Sequence, residues 1–547
     1  MSNSISVIDT VVILVYIVII LAAGILAAGR KKMNSSRYFL AGRKLKWPVV
    51  GAALFASNIS TIHLVGLAAS GYNEGLVWGN FEWLAAVSLI ALGLVFAPFY
   101  FKSKISTLPE FLENRYGSES RSVLAFIAII GALFVHIGMS LYAGAIVFKI
   151  FFGIDVMVSI LIISVITTIY TVLGGLKAVV VTETIQTVIL IAGALMLTII
   201  GLYALPDNGI NTLAEFKAHL KPGQLNMLHT RESIALLGES GYDSGLTWYA
   251  CLLGYPILGL WYWCSDQTIV QRVLGAKTMK DAQLGPIFAG FLKILPVFLL
   301  VFPGIIAYVL FKDLIGTNAN QALPVMITQL LPSGLKGLMA ATLLAALMST
   351  IAAALNSSGT LIAVDIVKRA RPETTDQAQV KIGRISSIIV MILAIAWSTQ
   401  GDKFSSIFEA INKIASAIAP PVAVVFLFGV FSKRGSRKAA FYTLISGLVL
   451  GIVTFCLDFE PISGSMYITK GLGIPFMMQA WWLFVICTII YFVISYLTPA
   501  PSKEIIEKYT WENPVAVITK EPFRGLGDPR LWALILVATL VILYSIF

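Results

Sequence analysis

Residues Ala56 to Leu64 read ASNISTIHL, and they lie in the middle of an apolar run long enough to be a membrane-spanning helix. Ser57, Asn58, Ser60, Thr61 and His63 are all polar. A polar group facing lipid without a partner costs several kcal/mol, so a cluster of this kind has to be buried in protein or line a wet cavity. Its presence at membrane depth therefore bears on function.

The surrounding chain makes the membrane reading secure. Of 547 residues, 58% are hydrophobic and only 12% charged, where a soluble domain carries about 25% charged residues. About fourteen apolar runs hold the roughly 17–25 residues that a spanning helix needs. The fold class expected is therefore an all-α membrane protein with 14 transmembrane helices. Lys and Arg concentrate in loops retained in the cytoplasm. With the N-terminus outside, Arg30, Lys31, Lys32, Arg37, Arg43, Lys44 and Lys46 become cytoplasmic, as do about 29 of the 39 basic residues in all. The expected location is the plasma or inner membrane, multi-pass, with both termini extracellular or periplasmic. The net charge of +11 is then a topology signal together with contact to anionic lipid, and no nucleic-acid partner is expected. Cys251, Cys264, Cys456 and Cys487 lie in or beside apolar runs with no CxxC spacing, which argues against zinc and against a disulfide framework.

Two runs are irregular. The second, near 47–73, contains SNIS and then GLAASG; the seventh, near 245–272, contains GYPILGLWYWCSDQ. Transporters built from inverted repeats place interrupted helices at corresponding positions of their halves, with solute and ion between them. That rule divides the chain into 1–46, a peripheral helix and basic loop; 47–205, a first repeat of helices two to six; 206–244, an outer loop; 245–432, a second repeat of helices seven to eleven; and 433–547, peripheral helices. The loops are short and hold no soluble enzyme module, so the chain is not expected to be an enzyme.

Interrupting the second helix near Asn58 frees carbonyl oxygens around Ala56 and Ile59, hard ligands for a hard monovalent cation such as sodium. The ninth run, LLAALMSTIAAALNSSGTL, offers the adjacent hydroxyls of Ser349 and Thr350, with Ala346 one turn earlier. Three ionisable groups sit at depth: Glu82, Lys293 and Asp266. Charges there face a cavity or pair with one another. Asp266, followed by Gln267, Gln271 and Arg272, also reads as closing the cytoplasmic end of its helix. A sugar presents an apolar face and a rim of hydroxyls, so its site wants an aromatic plate and side chains that donate and accept. Trp261, Tyr262 and Trp263 supply the first; Asn58, His63, Glu82, Lys293 and Asn412 supply the second.

The stretches NISTIHLVGLAASG with FEW, TVLGGLKAVVVTETIQ, LGLWYWCSDQTIVQRVLGAK, GFLKILPVF, LMSTIAAALNSSGTLIAVDI and IASAIAPPVAVVFLFGVFSKR resemble the sodium/solute symporter family, in particular its sodium–glucose cotransporter branch. The resemblance covers about 30–455. It implies a LeuT-type 5+5 inverted-repeat core of helices 2–11 with helices 2 and 7 broken. It also implies inward sodium flow coupled to uptake of a glucose- or galactose-like hexose by alternating access. Carried over by position, sodium would be held by Ala56, Ile59, Ala346, Ser349 and Thr350; the sugar would touch Asn58, His63, Glu82, Lys293 and Trp263 and stack on Tyr262. Sodium is the coupling ion, and no cofactor is expected. Asn412 stands where the sugar transporters have Gln, and Gly259 where they have Thr or Asn, which bears on the preferred solute. Glu183, Ala352 and Ala353 replace the groups of a second sodium site, so one sodium per sugar is expected. The alternative solutes are myo-inositol, sialic acid or an amino acid.

Overall fold

The computed structural model of the chain describes residues 6–29, 33–238, 245–400, 407–519 and 522–547. Arg30, Lys31 and Lys32, used above to orient the chain, lie outside the described residues, as do 239–244 of the outer loop and the first residues of the eleventh run. A chain this apolar has to satisfy its backbone internally, and among the described residues it does so with helices alone, apart from a single bridge between Leu45 and Ala276. Eleven helices among them are long and apolar enough to cross a membrane.

The principal helices are α1 (Val7–Ala28), α2 (Trp47–Asn58), α3 (Thr61–Glu74), α4 (Asn80–Ala91), α5 (Leu108–Tyr116), α6 (Ser118–Gly131), α7 (Val156–Asp207) and α8 (Trp248–Gly259). They continue as α9 (Gln267–Leu274), α10 (Met279–Leu292), α11 (Leu335–Leu361), α12 (Asp376–Ser398), α13 (Ile407–Phe431), α14 (Arg437–Leu457), α15 (Phe476–Leu497) and α16 (Pro529–Ile546). Several run on through wide π turns: α6 through Ala132–Met139, α8 through Leu260–Ser265 and α11 through Ile362–Lys368. Such turns loosen the ladder and cluster at functional sites. At 52 residues α7 would be about 78 Å long if straight, far more than the roughly 30 Å of a bilayer core. It is not straight: Gly175, at φ 58 and ψ −154, turns the chain back where a side-chain-bearing residue would be strained.

Packing sorts the helices into layers. The most apolar window of Leu335–Lys368 is 94% buried, whereas that of Pro529–Ile546 is 17% buried and that of Val7–Ala28 is 22% buried. α11 is thus the central post, and α1, α14, α15 and α16 present Leu, Ile and Val outward, as lipid-facing helices do. Small residues let the inner helices touch backbone to backbone. A Cβ added at Gly304 would meet the Ala68 carbonyl oxygen at 1.9 Å, so α3 and the continuation of α10 can pack only with glycine there.

The two ends of the bundle are distinct. At one, Asp9 Oδ1 accepts from the backbone of Gly334 and Gly337, both at 2.7 Å, and Tyr544 bonds Asn80 at 2.8 Å. The Gln224 carbonyl there accepts from Leu76 N at 2.9 Å, and the Phe547 carbonyl from Met227 N at 2.6 Å. At the other, Arg43 donates to the carbonyls of Lys104 and Ile105, and Arg121 pairs with Asp365. The segment 206–244 holds short helices at Leu213–Ala218 and Arg231–Ala235.

Candidate functional site

The helix that starts at Trp47 ends at Asn58. Ile59 is extended (φ −74, ψ 105), Ser60 caps the next helix (φ −104, ψ 171), and α3 starts at Thr61. His63 fastens this turn: its Nδ1 accepts from Ser60 N and lies 3.0 Å from Ser60 Oγ. The bond from the Ser60 amide leaves the ring proton on Nε2. Ending α2 here removes the helical donors to the carbonyls of Ala56 and Ser57. Both are met by α11: Ser349 Oγ donates to Ala56 O at 2.8 Å and lies 3.0 Å from Ala346 O, while Thr350 Oγ1 reaches Ser57 O at 3.2 Å and Ala346 O at 3.3 Å. Ala56, Ala346 and Ser349 are completely buried, and Thr350 is nearly so. Of the five residues expected to hold a cation, four are therefore linked in one hydrogen-bonded oxygen cluster, with the Ser57 carbonyl beside them. The fifth, Ile59, is 1% exposed, and its N–H bonds Phe55 O. The oxygens are all neutral and hard, and the hydroxyls can turn their lone pairs inward, a donor set suited to a monovalent cation of low charge density.

Beside this cluster is a cavity of about 120 Å³. Asn58, His63, Glu82, Tyr262, Trp263, Lys293 and Asn412, named from the sequence as solute contacts, all line it, and so does Thr350. Thr350 thus borders both the oxygen cluster and the cavity. Lys293 is 1% exposed and forms an ion pair with Glu82, itself 2% exposed, while a second Nζ bond goes to Asn58 Oδ1. A snorkelling lysine would reach the interface; this one points inward to a carboxylate. Asn58 passes the connection on, donating from Nδ2 to the Tyr262 hydroxyl at 3.2 Å. The Trp263 ring lies 5.6 Å from Lys293 Nζ and packs edge-on to Tyr262 with centroids 5.1 Å apart. The cavity therefore has an aromatic wall and a chain of groups that donate and accept, with Lys293 neutralised by Glu82.

The seventh run is interrupted as well. The wide turn Leu260–Ser265, which carries Trp261, Tyr262 and Trp263, ends at Asp266 (φ −83, ψ 124), and α9 starts at Gln267. Asp266 does not close a helix end at the membrane surface, as its neighbours suggest. It sits at the interruption, where Oδ1 caps α9 by accepting from Thr268 N at 2.6 Å and Oδ2 lies 2.9 Å from His136 Nε2. A carboxylate at the first turn of a helix is the charge its dipole favours.

Sequence reading misses His136 and Ser140, which line the cavity from the far side, and Phe81, which joins its aromatic wall. No local signal marks them, although a histidine and a serine four residues apart do share a helix face. Gly259 also lines the cavity, and a Cβ there would come within 2.1 Å of Ser88 Oγ. A larger residue at 259 therefore requires Ser88 to move. Glu183 is completely buried, paired with Arg272 and accepting from Ser57 Oγ at 2.8 Å. Its charge is already committed.

Comparison with known proteins gives the family. The sequence profile of the family described as "Sodium:solute symporter family" matches residues 38–447. The chain belongs to that family. It is 33% identical to sodium/glucose cotransporter 1 of Oryctolagus cuniculus over 90% of this chain and 79% of the relative. It is also 33% identical to sodium/myo-inositol cotransporter 2 of Homo sapiens, over 92% of this chain and 78% of the relative. These relatives are sodium cotransporters, and the symporter is not an enzyme. Among solved structures, a Na+-coupled sialic acid symporter in a substrate-bound outward-open state is similar in fold, with a TM-score of 0.78, 21% identity, and coverage of 91% of this chain and 99% of that one. Mhp1, a nucleobase-cation-symport-1 family transporter, follows with a TM-score of 0.53 at 14% identity, covering 87% and 99% of the two chains.

Proposed function

We propose that this symporter imports a glucose- or galactose-like hexose with sodium by alternating access, one sodium per sugar. The observation that carries the reading is the shared position of Thr350: one side chain borders both the neutral oxygen cluster and the cavity lined by Asn58, Glu82 and Lys293. Sodium arriving between α2 and α11 displaces the two hydroxyl–carbonyl bonds and is met by the same oxygens, those of Ala56, Ala346, Ser349 and Thr350, with Ile59 beside them. This fixes Asn58, the last residue of α2, and with it the polar chain through Lys293 and Tyr262. Solute hydroxyls then replace the internal bonds of Lys293 with Asn58 and Glu82 and reach His63 and Asn412, while the apolar sugar face lies on Tyr262 and Trp263. Binding of the ion thus prepares the solute site, which is the coupling that symport needs.

In this reading the chain crosses the membrane fourteen times with both termini outside, and α2 with α3 and α8 with α9 are the broken helices two and seven of inverted repeats 47–205 and 245–432. Residues 1–46, 206–244 and 433–547 are peripheral. The Glu183–Arg272 pair and the alanines at 352 and 353 support a single sodium site. At about 100 mV one charge contributes about 2.3 kcal/mol, enough on its own for roughly fiftyfold accumulation.

The 33% identity to a sodium/myo-inositol cotransporter, equal to that for the glucose cotransporter, favours myo-inositol as the second reading. An acidic solute such as sialic acid, or an amino acid, fits less well, because its carboxylate would compete with Glu82 for Lys293. The test is uptake by proteoliposomes of a panel of hexoses, myo-inositol, sialic acid and amino acids, with sodium, lithium or potassium outside. Concentrative, saturable hexose uptake that requires sodium and shows a Hill coefficient near one is expected. Uptake indifferent to sodium, or a Hill coefficient near two, contradicts the reading.

A further inference from the structure

α11 carries polar groups beyond those of the cation cluster. Asn356 lies seven residues after Ser349; at 1.5 Å and 100° per residue it is about 10 Å further along the helix and within about 20° of the same face. Thr360 repeats the direction about 17 Å along. Asn356 is 3% exposed, yet neither its Oδ1 nor its Nδ2 has a hydrogen-bond partner, and the hydroxyl of the fully buried Ser357 beside it has none. On α9, Gln271 donates to Thr360 Oγ1 at 2.8 Å and leaves its own Oε1 buried and unpartnered. Thr360 Oγ1 in turn donates to the Asn356 carbonyl at 2.7 Å. Buried polar atoms are bonded in the great majority of cases, and an amide left unpartnered on both ends calls for a missing partner.

The row lies on the face of α11 that holds the cation cluster, between that cluster and the end of the bundle carrying Arg43, Lys104 and Arg121. On the symport reading, on which this inference rests, that end is cytoplasmic. We propose that Asn356, with Ser357 and the free amide oxygen of Gln271, is a stopover that receives sodium as it leaves the Ser349 cluster for the cytoplasm. Amide and hydroxyl oxygens are hard ligands, and a site without its own carboxylate holds the ion weakly enough to release it. The buried carboxylates of Glu183 and Asp365 are each paired with an arginine, Arg272 and Arg121, and do not trap the ion.

The test separates release of sodium from the rest of the cycle in proteoliposomes containing the full chain. Net uptake of labelled hexose into a sodium-free lumen requires the ion to leave, whereas hexose exchange with saturating sodium on both sides does not. Asn356→Val is expected to slow net uptake roughly tenfold, the loss of about one ion–dipole contact in a barrier, while exchange stays within about twofold. Asn356→Ser, which keeps an oxygen at the position, is expected to retain net uptake within about threefold of the unaltered protein. The stopover is overturned if Asn356→Val transports normally, if it depresses exchange as much as net uptake, or if Asn356→Ser is as slow as Asn356→Val. Absence of sodium-driven uptake in the unaltered protein defeats the symport reading first and takes this proposal with it.

Discussion

At Ile59 the interrupted helix hands its loose carbonyls to neutral hydroxyls from α11. At Asp266 the second interruption is held by a carboxylate that caps α9 and lies against a pocket-lining histidine. Both places break a helix, yet they are held with different chemistry. The first repair uses only groups that can turn toward a small cation without adding charge. The second uses a fixed charge and three aromatic rings on a wide turn, which suits a solute with both apolar and hydroxylated faces. Asn58, the last residue of the first broken helix, joins the two by donating to the Tyr262 hydroxyl on the second. On the proposed reading, the first interruption receives the ion and the second faces the solute.

Three substitutions test that division, from the largest effect to the smallest. Lys293→Ala leaves Glu82 buried without its cation, a change that costs about 3–5 kcal/mol in comparable pairs. Hexose binding and uptake are expected to vanish, which equilibrium binding of labelled hexose measures directly; near-normal affinity would mean that the pair does not face the solute. Ser349→Ala removes one oxygen from the cation cluster, worth about 1.5–3 kcal/mol when the partner is charged. The sodium concentration for half-maximal uptake is expected to rise at least roughly tenfold, while uptake at saturating sodium recovers. A change confined to the hexose half-saturation would show that Ser349 serves the solute rather than the ion. Asp266→Ala deletes the cap of α9, for which about 1 kcal/mol is typical. A thermal shift of about one degree with modestly reduced uptake is expected, and unchanged uptake with an unchanged melting profile would show that the cap is not needed.

Much of this arrangement is legible in the amino-acid sequence. Hydrophobic content fixes the membrane class, and SNIS and WYWCSDQ inside apolar runs mark both interruptions, because polar residues at such depth are too costly to be incidental. The spacing of Ser349, Thr350 and Ala346 on one helix face is equally plain. What the sequence does not reveal is pairing across long separations. Glu183 and Arg272 are 89 residues apart, and nothing local says that they meet. Lys293 has the look of a residue that reaches for the interface, and only the fold brings Glu82, 211 residues away, to its side. His136 is an isolated histidine in an apolar helix, a pattern that a merely structural histidine shares, and only tertiary packing carries it to Asp266. Asp266 itself reads as a helix end because its followers, Gln267, Gln271 and Arg272, have the polarity of one, whereas all three are buried in protein.

The most direct test of the division of labour is sodium binding to purified Lys293→Ala, titrated calorimetrically without hexose and then with it. If ion and solute are received at separate interruptions, sodium binds within about threefold of its normal affinity while the hexose isotherm is flat. Loss of sodium affinity together with hexose affinity would mean that the oxygens at Ile59 and the charges around Glu82 form one undivided site, and the account would fail.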